Sequence, residues 1–330
     1  MPRRFSIIIV HRNGAAMLLK ALAALHAACD IERDEIFVVD NGSTDDSPEQ
    51  VAAAFPPVHL IRNPCNNGFA RACNQAITVA SGEFVLLLNN DAFLAPDAIE
   101  RFEAVFRTQP RAAVVAGQLF GTDGQPQHSA VHTTVVPDRP DFGLLRRRPR
   151  ASQQIDGLTE VESVIGACMA VRAAAIRDAG SLDNDFFFYF EEIEWCHRMR
   201  VHGWKILVEP AAHITHLKGA STRTLRVGAQ IEALRSRLIF YRKTMSPMRA
   251  FGLSAYRVLR LLLISFPAQL CLVILTLGLA RRIRERFIVY AARLAWLLCG
   301  RPERWGLPDK CPGNYPGQPM APSPDKKRKL

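Results

Sequence analysis

The sequence lacks the two glycine-rich phosphate loops that the commonest nucleotide-binding folds use. No GxGxxG pattern follows its first apolar run, and no GxxxxGK[ST] pattern occurs anywhere in its 330 residues. Without such a phosphate cradle, dinucleotide-dependent oxidoreductases and P-loop NTPases are excluded.

Paired cysteines are also missing, because the eight cysteines are scattered and none forms a CxxC pair. This usage disfavours a zinc site and a disulfide framework, and it predicts reduced thiols in a cytosolic setting. Residues 1–24 do not have the order of a secretory signal peptide, since His11, Arg12 and Asn13 interrupt the apolar run.

Acidic residues are scarce in the last quarter of the chain. Residues 257–330 hold 14 Lys/Arg and 4 Asp/Glu, a net charge of +10, whereas residues 1–256 are nearly neutral. A uniformly basic DNA-binding domain is therefore disfavoured, and no nucleic-acid partner is expected. A neutral globular domain with a basic appendage predicts an anionic membrane surface as a partner.

Buried strands alternate with helices in the first part of the chain. Residues 5–10 (FSIIIV), 35–39 (EIFVV) and 83–88 (EFVLLL) are short apolar runs typical of strands buried on both faces. Residues 15–28 and 69–80 have the composition of helices. The alternation predicts an α/β fold with a mostly parallel sheet flanked by helices.

The middle of the chain is less regular. Residues 125–160 are rich in polar residues, proline and arginine, and they predict a long loop of the kind that serves as a lid or binding loop. After it, residues 164–172 predict a strand, residues 191–202 a helix that ends at Gly203, and residues 204–208 a last strand.

The C-terminal region changes character. Residues 261–280 contain no charged residue and are long enough to cross a membrane, but Pro267 and Gln269 also allow a kinked or interfacial segment. Residues 287–299 predict an amphipathic helix. We therefore expect three regions, listed here in order: a globular domain at 1–245, a membrane-associated helical region at 246–305 and a disordered basic tail at 306–330.

Three polar clusters follow predicted strands. They are His11-Arg12-Asn13-Gly14, the turn from Asp40 to Asp45, and Asn89-Asn90-Asp91. Ligands bind beyond the carboxyl ends of strands in such sheets, so these clusters predict a site at one edge. Asp91 can bind a divalent ion that also takes phosphate oxygens, or it can cap a helix before Pro96.

These residues resemble the family 2 glycosyltransferases, which have the GT-A fold. The resemblance covers about residues 5–245 and rests on motifs in the family's order. The motifs are SIIIVHRNG, VVDNGSTDDS, IRNPCNNGFARACNQAI, LLLNNDAFL, GACMAVRAAAI, GSLDNDFFFYFEEIEWCHRMRVHGWKI and VEPAAHITHLKGAST. Of these, LLLNNDAFL is similar to the strand that ends in the family's variant DxD motif.

The resemblance implies roles for the matched positions. Binding of the nucleotide sugar is implied for His11, Asp40, Asn67, Arg71, Asn74 and Asn89. Asp91 would be the direct ligand of a divalent metal, Mg²⁺ or Mn²⁺. His216 would be the second protein ligand or a diphosphate contact, with His213 as its rival.

The catalytic base is implied within the helix that begins at Glu191. Glu191 and Glu192 occupy the family's Glu-Asp position, so Glu192 replaces the usual aspartate. Glu192 is the first candidate for the base and Glu191 the second. Acids in the first turn of a helix also interact favourably with its dipole, and Glu194 is spaced to pair with Arg198. A purely structural role for these glutamates is therefore an alternative to catalysis.

The resemblance implies an inverting glycosyltransferase that moves one sugar from a nucleotide-sugar donor to an acceptor hydroxyl. FYRKTMSPMRAF and the helices after it are similar to bacterial rhamnosyltransferase-like members. That similarity implies a deoxysugar donor such as dTDP-rhamnose. It also implies a glycan or lipid-linked acceptor in cell-envelope polysaccharide assembly at the cytoplasmic face of the inner membrane.

Two other functions remain open at this level. A sugar-phosphate nucleotidyltransferase has a similar sheet but needs a glycine-rich arginine loop, which HRNGAAMLLK lacks. A non-catalytic, membrane-bound nucleotide-sugar-binding or scaffold protein would explain the change of aspartate to Glu192. Turnover of a nucleotide sugar would separate these classes.

Overall fold

The computed structural model describes residues 3–131, 154–217 and 226–311. Its described residues group into two compact units. The first is drawn from Met1–Pro64, Phe69–Asp183 and Glu191–Ala220, and the second from Cys65–Gly68, Asn184–Phe190 and Ser221–Leu330.

The first unit holds the sheet and the helices around it. Its strands are β1 (Phe5–His11), β2 (Glu35–Asn41), β3 (His59–Asn63), β4 (Phe84–Leu88), β5 (Ala92–Leu94), β6 (Ala112–Phe120), β7 (Ala130–Val131), β8 (Thr159–Val161), β9 (Ser163–Val164), β10 (Cys168–Arg172) and β11 (Lys205–His216). Its helices are α1 (Ala15–Ala28), α2 (Ser47–Ala54), α3 (Phe69–Val79), α4 (Ala98–Thr108), α5 (Ala173–Ala179) and α6 (Glu191–Val201).

The main sheet is mixed and mostly parallel, as predicted. Its strand order is β3-β2-β1-β4-β10-β6-β11-β5, with β8 paired to β11. Strands β3, β2, β1 and β4 run parallel, β10 is antiparallel to both of its neighbours, and β6 and β11 are parallel. Strands β5 and β8 pair with β11 in the antiparallel sense, and β7 pairs separately with β9.

Hydrophobic cores cover both faces of this sheet, which explains the continuous apolar runs. Ile7 and Ile9 of β1 point to the face covered by α1, α2 and α4, while Ile8 points to the face covered by α3, α5 and α6. All three side chains are buried. Because successive side chains of a strand alternate between faces, a strand with helices on both sides needs apolar residues throughout.

The end of the sheet differs from the sequence prediction. β11 does not stop near residue 208 but runs from Lys205 to His216, with an irregular register between Glu209 and His213. The polar residues and Pro210 hide this continuation in the sequence. The extended strand pairs with β5 and sets His216 opposite Ala92, one residue after Asp91.

The second unit contains the C-terminal helices. They are α7 (Arg226–Thr244), α8 (Pro247–Arg260), a π-helical stretch (Leu261–Ser265), α9 (Phe266–Leu275) and α10 (Arg281–Leu298). From α8 to α9 the chain forms one helix, Pro247–Leu275, which is long and apolar enough to cross a membrane, and little of its apolar part is buried. Predicted apolar and amphipathic helices are therefore present. α7 belongs to this unit and packs on α8 and α10. The predicted domain boundaries at 245 and 305 stay predictions.

Two predictions about this region are wrong for the residues that the structure describes. Cys65 and Cys311 form a disulfide, whereas Cys29, Cys73, Cys168, Cys196, Cys271 and Cys299 are free thiols. The two partners lie 246 residues apart, so no local spacing reveals the pair. The predicted disordered tail is ordered at 306–311, where Leu307 is buried and the Lys310 ammonium pairs with buried Glu232.

Candidate active site

The carboxyl ends of β1 and β2 lie side by side and present His11 and Asp40. The two residues are opposite each other in the parallel register. The Asn90 side-chain nitrogen lies 2.9 Å from His11 Nδ1. Since an amide nitrogen only donates, Nδ1 accepts, and the ring proton of the neutral histidine is on Nε2.

His11 is prepared to donate a hydrogen bond to a ligand. Burial lowers its pKa, although the charges of Asp40 and Asp45 act in the opposite direction, so the ring is neutral at pH 7. Its Nε2 is buried and has no hydrogen-bond partner among the described residues. A buried donor left without a partner costs free energy, which a ligand oxygen would recover.

The loops after β1 and β2 are tied to each other. Asn13 N donates to Ser43 Oγ at 2.9 Å, and Gly14 N donates to Asp45 at 2.6 Å. Asn13 and Gly14 have φ of 56° and 95°, a left-handed turn that glycine adopts without penalty. Asp40 accepts the N–H of Ser43 at 3.1 Å, so its carboxylate is fixed at the same edge.

Asp91 and His216 form a buried pair at the end of β4. Asp91 Oδ1 lies 3.5 Å from His216 Nε2, and the two side chains are only 6% and 10% exposed. Leu217 N donates to the Asp91 carbonyl at 3.0 Å, and the Gln127 side chain donates to the His216 carbonyl at 3.0 Å. The backbone contacts hold the pair in place.

The chemistry of this pair fits a divalent metal ion. Carboxylate oxygen and imidazole nitrogen are both ligands for Mn²⁺, and carboxylate oxygen also suits Mg²⁺. Among the described residues no group of three or more His, Cys, Asp and Glu side chains could hold a metal. An ion held by Asp91 and His216 could also bind phosphate oxygens and water. His213, the rival, is exposed and packs edge-on against Phe120 instead.

Glu192 is connected to the same edge through the turn between β9 and β10. The backbone N–H of Gly166 bonds to the Glu192 carboxylate, and a Cβ at Gly166 would lie only 3.5 Å from Glu192 Cγ. The next residue, Ala167, accepts the Asn89 N–H at 2.9 Å. A short chain of backbone contacts thus joins Glu192 to Asn89 at the end of β4.

The two glutamates of α6 have different surroundings. Glu191 is buried on the side of α3, close to the Cys73 thiol, whose already raised pKa it raises further. Burial raises the pKa of Glu192 to about 7, against the hydrogen bonds it accepts from backbone N–H groups. Burial also raises the pKa of Glu191, and the neighbouring charge of Glu192 adds to that rise. Glu192 can therefore take up a proton near neutral pH, as a general base requires.

The remaining predicted residues lie in α3 and just before it. Asn74 donates to the Leu182 carbonyl at 2.7 Å and accepts the Leu182 N–H at 3.2 Å, so its amide joins α3 to the segment after α5. Arg71 is also buried in α3, whereas Asn67 belongs to the second unit. Their contacts with a nucleotide sugar stay predictions.

Sequence reasoning did not identify Asn90, Gln127 and Gly166 as parts of the site. Asn90 holds the His11 ring, Gln127 holds the backbone of His216, and Gly166 bonds Glu192. Asn90 stands between Asn89 and Asp91, and Gly166 opens the motif GACMAVRAAAI, so both gave a signal. Gln127 gave none, because it acts on a partner 89 residues away in the sequence.

A comparison with known protein families agrees with this arrangement. The family model described as glycosyl transferase family 2 matches residues 6–180, more than half of the chain. The chain belongs to this family. It is therefore a glycosyltransferase, as the motifs predicted, and the family's known members include rhamnosyltransferases that it resembles.

Two relatives of known name are similar to this chain in sequence. N-acetylglucosaminyl-diphospho-decaprenol L-rhamnosyltransferase of Mycobacterium tuberculosis is 25% identical over 241 residues, which cover 66% of this chain and 76% of that protein. A low-salt glycan biosynthesis hexosyltransferase of Haloferax volcanii is 25% identical over 170 residues, covering 50% of this chain and 53% of that protein.

A solved structure agrees on the fold. The mannosyltransferase of Pyrobaculum calidifontis in complex with GDP-Man and Mn²⁺ superposes with a TM-score of 0.54 at 16% identity. The match covers 90% of this chain and 88% of that one. With the strand order described above, this likeness confirms the predicted GT-A fold.

Proposed function

We propose that the glycosyltransferase transfers a sugar, with inversion, from a nucleotide-sugar donor to the hydroxyl of a lipid-linked acceptor in cell-envelope polysaccharide assembly. The observation that carries the proposal is the gathering of the Asp91–His216 pair and Glu192 at one edge of the sheet. The similarity to a mycobacterial rhamnosyltransferase supports a deoxysugar such as rhamnose as the transferred group.

In this proposal each residue has a chemical task. Asp40 and the Nε2–H of His11 bind the base or ribose of the donor, and Arg71 contacts the diphosphate. Glu192 removes the proton of the acceptor hydroxyl as that oxygen attacks the anomeric carbon. A single displacement of this kind inverts the configuration at that carbon.

Asp91 and His216 would hold Mg²⁺ or Mn²⁺ with the diphosphate, and the ion would stabilise the charge that develops on the departing nucleoside diphosphate. The pair's burial supports this assignment, because charge stabilisation is stronger where water is excluded. Asn89, the first position of the DxD-like motif, would orient the same diphosphate.

A donor screen tests the proposal. We expect the purified full chain to release UDP, dTDP or GDP from one matching nucleotide sugar when Mg²⁺ or Mn²⁺ is present. A lipid extract containing polyprenyl diphosphate sugars should stimulate the release, because the acceptor completes the reaction. The absence of nucleotide release with every donor and acceptor fraction would contradict a transferase function and favour a non-catalytic binding protein.

The exposed apolar surface of the C-terminal helices supports attachment to a membrane, and we propose the cytoplasmic face of the inner membrane as its place. Large apolar side chains there are more than half exposed; they are Met248, Phe251, Leu259, Leu263, Ile264, Ile274, Leu275, Leu277, Leu279 and Leu298. Arginines precede and follow the uncharged run, at 257 and 260 and again from 281 to 286. Basic residues at both ends suit a helical hairpin whose ends lie on one anionic surface.

Vesicle sedimentation tests this attachment. We expect the full chain to pellet with vesicles that contain phosphatidylglycerol and to resist release by 1 M salt, because burial of apolar surface is not screened. Ile274→Glu with Leu277→Glu should lower the bound fraction by about tenfold or more, since each buried apolar side chain contributes roughly 1.5–3 kcal/mol. Ile31→Glu changes an exposed residue of the first unit and is the matched control. Complete release by salt, or equal loss in the control, would contradict insertion.

A further inference from the structure

Three arginines of the second unit have no acidic partner among the described residues. They are Arg237 of α7, Arg257 of α8 and Arg293 of α10, and α7 packs on both α8 and α10. Burial, together with the charges of Arg257 and Arg293, lowers the pKa of Arg237 to about 10. Burial lowers the pKa of Arg293 as well, with Arg257 again contributing. The guanidinium groups therefore lie close enough to repel one another.

Their hydrogen bonds go to neutral groups. Arg257 Nε donates to the Tyr241 hydroxyl at 2.6 Å, and Arg293 donates to the backbone carbonyl of Gln230 at 3.4 Å and to its side-chain oxygen. Arg237 packs 5.2 Å above the Phe190 ring, and its Nε is buried without a hydrogen-bond partner in the described part of the chain. Each arginine keeps donors that these contacts do not use.

Other buried cations of the same unit are neutralised. Glu232, which is fully buried, pairs with both Arg235 and Lys310, and Lys243 pairs with Asp185 at 2.6 Å. Three half-buried positive charges without compensation are costly, because a buried charge is normally paired. The cost is removed when an anion binds between them.

We propose that Arg237, Arg257 and Arg293 form a binding site for the phosphate or diphosphate group of a lipid. Guanidinium groups bind phosphate oxygens through paired hydrogen bonds, so three of them offer enough donors for both phosphates of a diphosphate. α8 continues directly into the exposed apolar helix, so a phosphate at Arg257 would have its lipid tail beside an apolar surface.

The position in the chain indicates which lipid this is. Phe190, which lies under the Arg237 guanidinium, directly precedes Glu191 and Glu192. A lipid held here has its phosphate next to the segment that leads into the catalytic helix. The site is accordingly assigned to the lipid diphosphate of the acceptor, an assignment that rests on the proposed function.

Binding of farnesyl diphosphate, a short prenyl diphosphate, to the detergent-solubilised full chain tests the site directly. We expect Arg237→Gln and Arg293→Gln each to weaken binding about 10- to 100-fold, the range of a charged hydrogen bond. Arg237→Lys, which keeps the charge, should lose less. Arg282→Gln removes one exposed arginine of α10 and should bind as the wild type does. Inorganic pyrophosphate should compete with the probe.

Thermal stability distinguishes arginines that bind a ligand from arginines that stabilise the fold. Removing one of three mutually repelling charges should leave the Tm of the ligand-free protein unchanged or higher, whereas a structural arginine would lower it on removal. Equal weakening by Arg282→Gln, or a Tm that falls together with binding, would overturn the site. Displacement of the probe by phosphatidylglycerol vesicles at equal lipid concentration would overturn the acceptor assignment.

The outcome is distinct from that of the donor screen. If farnesyl diphosphate binds as expected but no nucleotide sugar is turned over, the site stands and the proposed function fails. If sugar is transferred to an acceptor without phosphate and Arg237→Gln has no effect, the function stands and the site fails.

Discussion

Replacing Asp91 by asparagine should lower donor turnover by about 10³-fold or more. A metal ion that stabilises the leaving diphosphate supplies several kcal/mol, and each 1.36 kcal/mol corresponds to a factor of ten. Asparagine keeps the shape of the side chain but loses the negative charge that binds the ion. The variant should also lose the tightening of nucleotide binding by Mn²⁺, which titration calorimetry measures without turnover.

The matched control is Asp97→Asn. Asp97 is 54% exposed and pairs with Arg101 on the surface, so its charge is lost without any change at the sheet edge. Both variants should melt within a few degrees of the wild type. If Asp91→Asn stays fully active and EDTA leaves the wild type unchanged, no metal takes part in the reaction.

Glu192→Gln should lower kcat by roughly 10²–10⁴-fold with little effect on donor binding, the usual contribution of a general base. Glu191→Gln should have a smaller effect, because Glu191 is buried near Cys73 of α3 and the contact with Gly166 belongs to Glu192. A single-turnover assay with saturating donor separates the chemical step from binding. A larger loss in Glu191→Gln would move the base by one residue.

The pH dependence gives a second measure of the same group. Burial raises the pKa of Glu192 to about 7, and a carboxyl acts as a base only when it is ionised. The kcat/KM of the wild type should therefore fall as the pH drops through about 7. Glu192→Asp should keep an acid limb at reduced activity, and Glu192→Gln should lose it. An acid limb that persists in Glu192→Gln belongs to another group.

The motifs predicted the first unit well because they report local requirements. A strand between two helical layers must be apolar along its whole length, so Phe5–Val10 and Glu83–Leu88 could be recognised from composition alone. The polar residues that end these strands then lie at one edge by topology, which is why His11, Asp40 and Asp91 were identified together.

Other features were missed because they depend on partners that are distant in the sequence. The length of β11 depends on its pairing with β5 and β6, and without that length His216 could not be separated from His213. The Cys65–Cys311 disulfide and the burial of Leu307 likewise depend on the packing of the second unit. Residues 132–153, the centre of the predicted binding loop, lie outside the described residues.

By itself, the sequence determined the fold class, the family and most of the candidate residues, because these depend on apolar periodicity and on short polar motifs at strand ends. Only the tertiary structure decided how those residues are used. It set Asp91 beside His216, gave Glu192 rather than Glu191 the contact with Gly166, and left the Nε of Arg237 buried without a partner among the described residues. The distance between two side chains, their burial and the pairing of their charges depend on segments that are far apart in the sequence. No local sequence pattern encodes them.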